Sequence, residues 1–153
     1  MFTSTSERVP QNTAEDVNQQ IRRQTEQSLA ECIRKGPAAI ERRLAQLDDE
    51  WDIERFVETM APTFSLIGLA LGITADRKWL ILPAVVQTFF LQHALQGWCP
   101  PVPVLRRFGV RTCDEINHER YALKALRGDF ESVSELAGSP GISRIREALA
   151  ATQ

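Results

Sequence analysis

Residues 79–104 read WLILPAVVQTFFLQHALQGWCPPVPV, from Trp79 to Val104, and contain no Asp, Glu, Lys or Arg. A charge-free run of this length crosses a hydrocarbon core of about 30 Å with residues left over. Trp79 and Trp98 stand near its two ends, where indoles anchor a helix at the two membrane–water interfaces. At about 1.5 Å per residue, a helix would hold them roughly 28 Å apart. Pro100, Pro101 and Pro103 then interrupt the run. Each removes an N–H donor, so the spacing predicts a span over about 79–98 and an extended, non-helical exit up to 104.

Working outward toward the N-terminus, Thr59–Ala75 (TMAPTFSLIGLALGITA) is a second run without charge. It is short for a span, and drawing in Val57 and Glu58 sets the first span at about 57–75. Asp76, Arg77 and Lys78 form a tight polar turn between the two runs, which makes the pair an antiparallel transmembrane hairpin over 57–104. Ala61, Ser65, Gly68 and Gly72 fall three or four apart on one face, a small-residue stripe suited to close helix packing. In the second run Thr88, Gln92 and Gln96 share a face, with Gln87 and His93 beside it. Amides in lipid need partners, on the first span or on another protomer. His93 reads first as a neutral imidazole satisfied by its neighbours, with a relay role as the alternative for an intramembrane ionisable group.

The flanks set the direction. The turn carries two basic residues; Arg42, Arg43 and Arg55 lie before the hairpin, and Arg106, Arg107, Arg111 and Arg120 after it. This bias puts both termini in the cytoplasm and the turn outside. Residues 1–12 are Ser-, Thr- and Asn-rich and read as a disordered tail without the apolar segment of a signal peptide. An amphipathic helical segment follows over 13–56. Thr13 with Asp16 resembles a capping box, and Val17, Ile21, Leu29, Cys32 and Ile33 recur at helical spacing. Gly36-Pro37 ends one helix and starts another, on which Ile40, Leu44, Leu47 and Trp51 oppose Glu41, Arg42, Arg43 and Asp48. A helix lying on the membrane and a soluble core helix both satisfy that stripe; the charge-free run that follows favours the first.

Residues 105–153 read as a cytoplasmic helical tail. Thr112 with Glu115 opens a helix that stops at Gly128, and shorter helices follow Asp129 and span 142–150. Three widely separated cysteines form no disulfide framework. Cys113, Asp114, Glu115 and His118 fit no standard metal spacing, and neither a metal nor another cofactor is expected. Cys99 falls at a helix C-terminus, whose dipole raises a thiol pKa, while Arg106 and Arg107 nearby act in the opposite sense. A net charge of −2 gives no basic field for nucleic acid. The mean hydropathy of −0.23 averages apolar runs with charged flanks and does not weigh against a membrane.

Several of these features occur together elsewhere. Glu54-Arg55, LIGLALG, Trp79-Leu80-Ile81-Leu82-Pro83, Gly97-x-Cys99-Pro100 and the LRRFGVRT that follows resemble the YgaP-like transmembrane domain family, over about Asp52 to Thr112. The resemblance implies a two-helix inner-membrane unit of unknown function, in some members fused to a rhodanese that transfers sulfur. This chain lacks a rhodanese-sized α/β segment, so the resemblance implies the hairpin and no mechanism.

The reading is therefore all-α: a transmembrane hairpin between N-terminal amphipathic helices and short C-terminal helices. The expected function is that of a small integral protein of a bacterial inner membrane, a non-enzymatic anchor or assembly module. Its expected partners are the membrane, a second copy through the small-residue face, and a sulfur-transfer or other membrane protein. One alternative is a cytoplasm-facing Cys99 that relays sulfane sulfur or senses oxidants with Arg106 and Arg107. The other is a soluble helical protein that buries both apolar runs.

Overall fold

A computed structural model describes residues 7–131. All regular structure in that range is helical: α1 (Arg8–Gln11), α2 (Glu15–Lys35), α3 (Pro37–Asp49), α4 (Ile53–Thr74), a 3₁₀ turn (Arg77–Leu80), α5 (Ile81–Gln96), α6 (Pro101–Arg107) and α7 (Cys113–Arg127). The expected helices after Asp129 and over 142–150 lie outside the described residues. The packing divides the chain into two compact units, 7–22 with 51–114 and 23–50 with 115–131.

The first unit is organised by α4. Asp52 caps it, its carboxylate accepting the Arg55 N–H at 2.6 Å. The Arg55 guanidinium lies 4.4 Å over the Trp51 ring, and Trp51 packs on Phe56 at 5.1 Å between centroids. These contacts start the helix at Ile53, four residues before the expected start of the first span at 57. Asp76 caps the 3₁₀ turn by accepting the Lys78 N–H at 2.9 Å, so Trp79 lies in that turn and α5 begins only at Ile81. Helix α5 is 16 residues long and ends at Gly97, where φ is +74°. That left-handed turn favours glycine, and any Cβ there would stand 2.5 Å from the Arg8 backbone.

One expectation fails on chemistry. The proline-rich segment after Cys99 is not extended: it is α6, with Pro101 in the first turn. The first four N–H groups of a helix have no intrahelical acceptor, so Pro100, Pro101 and Pro103 forfeit nothing and their fixed φ suits a helix start. Helix α6 runs to Arg107 and leaves through Gly109 at φ +82°. Val9, Ile53, Val57, Cys99 and Val102 form the core here, with Phe90, Leu105 and Val110 against it. Val9 reaches that core from α1, so residues 8–11 are helical and anchored where a disordered tail is expected. Residues 1–6 of that tail lie outside the described range.

The second unit buries Cys32, Ile40, Leu44, Leu47, Ile116 and Leu123 together. The α3 stripe therefore faces protein, which is the core-helix reading of its pattern; Ile33 and Trp51 stay exposed. Gly36 at φ +85° and Pro37 separate α2 from α3 as the sequence predicts, and Gly128 at φ +92° follows α7. Among the described residues one helical stretch, Pro37–Thr74, is long and apolar enough to cross a membrane, and its apolar part is α4. Helix α5 alone falls short of the 79–98 span.

Candidate functional site

The small residues of α4 meet α5 within the chain. A Cβ built on Gly72 would stand 2.5 Å from Leu80 Cδ2; one built on Gly68 would stand 2.5 Å from Pro83 Cδ and 3.1 Å from Leu82 Cβ. Further along, Gln87 Nε2 donates to Ser65 Oγ at 2.8 Å, and Ser65 donates to the Ala61 carbonyl at 2.8 Å. As numbers fall on α4 they rise on α5, so the two helices run antiparallel. Ala61, Ser65, Gly68 and Gly72 are all buried.

The polar stripe of α5 behaves differently from its sequence pattern. Thr88 is exposed and bonds back to Ala84 O at 2.8 Å. Gln96 is exposed, and its carbonyl accepts from Asn12 Nδ2 at 2.8 Å. Gln92 is half-buried. The amide that reaches α4 is Gln87, at the edge of the stripe. Helical periodicity identifies a shared face; the side chain opposite a gap is fixed by packing.

Cys99 is buried, and burial pushes its thiol above the ordinary range, with the Val102 N–H acting weakly the other way. It lines an apolar groove of about 250 Å³ with Val57, Met60, Phe64, Phe89 and Phe90. Arg106 is 1% exposed. It donates to Thr13 Oγ1 (3.2 Å), Asn18 Oδ1 (2.8 Å) and Val110 O (3.3 Å), tying α6 to the N-terminal helices. Thr13 bonds Val9 O and Arg106, so the Thr13–Asp16 box is replaced by this tie, and α2 starts at Glu15. Arg107 is exposed. Trp79 is exposed and Trp98 half-buried.

A second set of residues emerges only in three dimensions. Arg8, Glu54, Glu58 and His93 line a cavity of about 220 Å³ with Val9, Phe90, Ala94 and Gly97. Arg8 Nη1 donates to Ala94 O, so Arg8 and Asn12 cap the carbonyl end of α5. Glu54 accepts the Cys113 N–H at 3.1 Å, and burial holds its carboxyl above the usual range. His93 Nδ1 is buried and has no hydrogen-bond partner among the described residues. Arg8 sits in the segment the composition assigns to a tail, so no local signal exposes this grouping.

In the second unit Glu119 is fully buried. It receives Arg43 through Nε at 2.8 Å and Nη2 at 2.9 Å, and Ser28 Oγ at 2.6 Å. Among the described residues, no three His, Cys, Asp or Glu side chains are placed to hold a metal ion. Comparison with protein-family models, curated proteins and solved structures gave no match.

Proposed function

We propose that the chain is a small integral membrane protein in which α4 and α5 form a two-span hairpin, serving as an anchor or assembly module of the bacterial inner membrane. One observation carries this reading. The α4–α5 pair turns large apolar side chains outward, among them Ile73 (83% exposed), Ile81 (70%), Leu66 (66%) and Leu91 (61%). No residue of α5 is fully buried. Its exposed hydroxyl at Thr88 is satisfied by its own backbone, as lipid requires. In water such a surface is an aggregation site; in hydrocarbon it is the expected exterior. The second unit of the same chain buries its apolar stripe, so the outward face of α4–α5 is not a general looseness.

Length also accommodates a second crossing. Sixteen α-helical residues at about 1.5 Å and four 3₁₀ residues at about 2 Å give roughly 32 Å. Trp79 and Trp98 are the interface anchors of this reading, and the basic flanks put both termini in the cytoplasm. The YgaP-like resemblance joins the proposal on its motifs alone. Self-association is part of it too, through outward faces, because Leu80, Leu82 and Pro83 already cover Gly68 and Gly72. The sulfane-sulfur reading draws less support: the Cys99 thiol is buried and its pKa raised, and Arg106 is engaged elsewhere.

Carbonate extraction of membranes from expressing cells tests the proposal. The chain is expected in the pellet; release into the supernatant would return it to the soluble class.

A further inference from the structure

The Arg8–Glu58–His93 cavity contains two opposite charges that do not meet. Arg8 gives one N–H to Ala94 O, and the Glu58 carboxylate forms no hydrogen bond or ion pair among the described residues. Glu54, the other acid in the wall, is occupied by the Cys113 N–H. One guanidinium and one carboxylate are therefore available, the complement of a ligand that carries an ammonium and an anionic group together.

The neighbouring surface narrows the choice. Phe90 lines this cavity and also the apolar groove of about 250 Å³ along Val57, Ala61, Phe64 and Cys99. A polar recess for a zwitterion beside a groove for hydrocarbon matches a two-part ligand. Resting on the membrane reading above, Glu58 and Gly97 stand where the two helices leave the hydrocarbon, at headgroup depth.

We propose that this cavity binds the zwitterionic headgroup of a phospholipid, with Arg8 on the phosphate and Glu58 on the ammonium, while an acyl chain lies in the groove past Phe90. His93 forms the third polar wall, and its Nδ1 has no competing partner within the described residues. The ligand is held by charge at one end and by apolar contact at the other.

Native mass spectrometry of the full chain in micelles with equal mole fractions of phosphatidylethanolamine and phosphatidylglycerol reads the ratio of lipids retained. A preference of about five-fold for the zwitterionic lipid is expected, the scale of one partly solvated ion pair. Glu58→Gln disturbs no bond that holds the fold and should bring the ratio to about one, while Arg8→Lys keeps it. A ratio near one in the wild type, or no change in Glu58→Gln, overturns the site. Equal binding of soluble phosphorylethanolamine in calorimetry overturns the lipid assignment in favour of a free zwitterion. Release by carbonate sinks the membrane reading separately, since the lipid ratio is measured in micelles.

Discussion

Glu119 is the residue with the most at stake. Its carboxylate is out of water, and Arg43 and Ser28 compensate it. Arg43 is 25% exposed and lies 3.7 Å from Glu50 as well. The two partners therefore differ in what their loss leaves behind. Arg43→Met takes two charge-assisted hydrogen bonds from a buried carboxylate, which keeps Ser28, and is expected to cost about 3 kcal/mol. Glu119→Gln keeps an acceptor and leaves the remaining cation near solvent and Glu50, so it should cost roughly 1–2 kcal/mol. Denaturant unfolding of the full chain in micelles, followed by helical circular dichroism, ranks the two; equal losses would refute the asymmetry. No local signal marks the pair, because helical periodicity places Arg43 opposite the Ile40–Leu44–Leu47 stripe and says nothing about a carboxylate 76 positions away.

Elements were legible wherever backbone chemistry is local. Gly36-Pro37 and Gly128 mark helix boundaries because a left-handed residue or a missing N–H acts on its own neighbours. Thr13 misled because its hydroxyl found Val9 O and a distant guanidinium instead of its own helix. The prolines after Cys99 misled because a helix interior rejects proline while a helix start accepts it, and composition does not tell the two apart. The α4–α5 contact was legible as a small-residue face, but its partner was not: the motif fits a second copy as well as the next helix. The two glycines are separable by what surrounds them. An alanine at Gly68 meets the rigid Pro83 ring, whereas at Gly72 it meets Leu80 Cδ2 at 2.5 Å and Cγ at 2.8 Å, in a side chain that is 41% exposed and can change rotamer. Gly68→Ala is expected to lose about 1–3 kcal/mol through overpacking. Gly72→Ala should be nearly neutral, since Leu80 can swing away and alanine gains about 1 kcal/mol in helix propensity. Thermal unfolding in micelles decides, and a larger loss at Gly72 would contradict the packing described.

At the scale of the whole molecule, the apolar runs announced themselves and the second unit did not, because its core joins residues 32–47 to 116 and 123 across the intervening chain. The orientation of the proposed hairpin belongs to this scale. Arg43, Arg106 and Arg120 are engaged in internal contacts in the folded chain. On the proposed membrane reading, insertion acts on the chain before those contacts exist, so all of them count toward the basic bias from which the proposed orientation is argued. Native cysteines supply the test. Cys113 is exposed, while Cys32 and Cys99 are buried and should stay silent. A membrane-impermeant maleimide should label Cys113 in inside-out vesicles and leave it untouched in right-side-out ones. Asp76→Cys in a Cys113→Ser background should show the reverse, since residue 76 lies in the turn between the helices. Labelling of both positions from the same side would eliminate the two-span hairpin even if carbonate left the chain in the pellet, because one crossing by α4 alone puts residues 76 and 113 together.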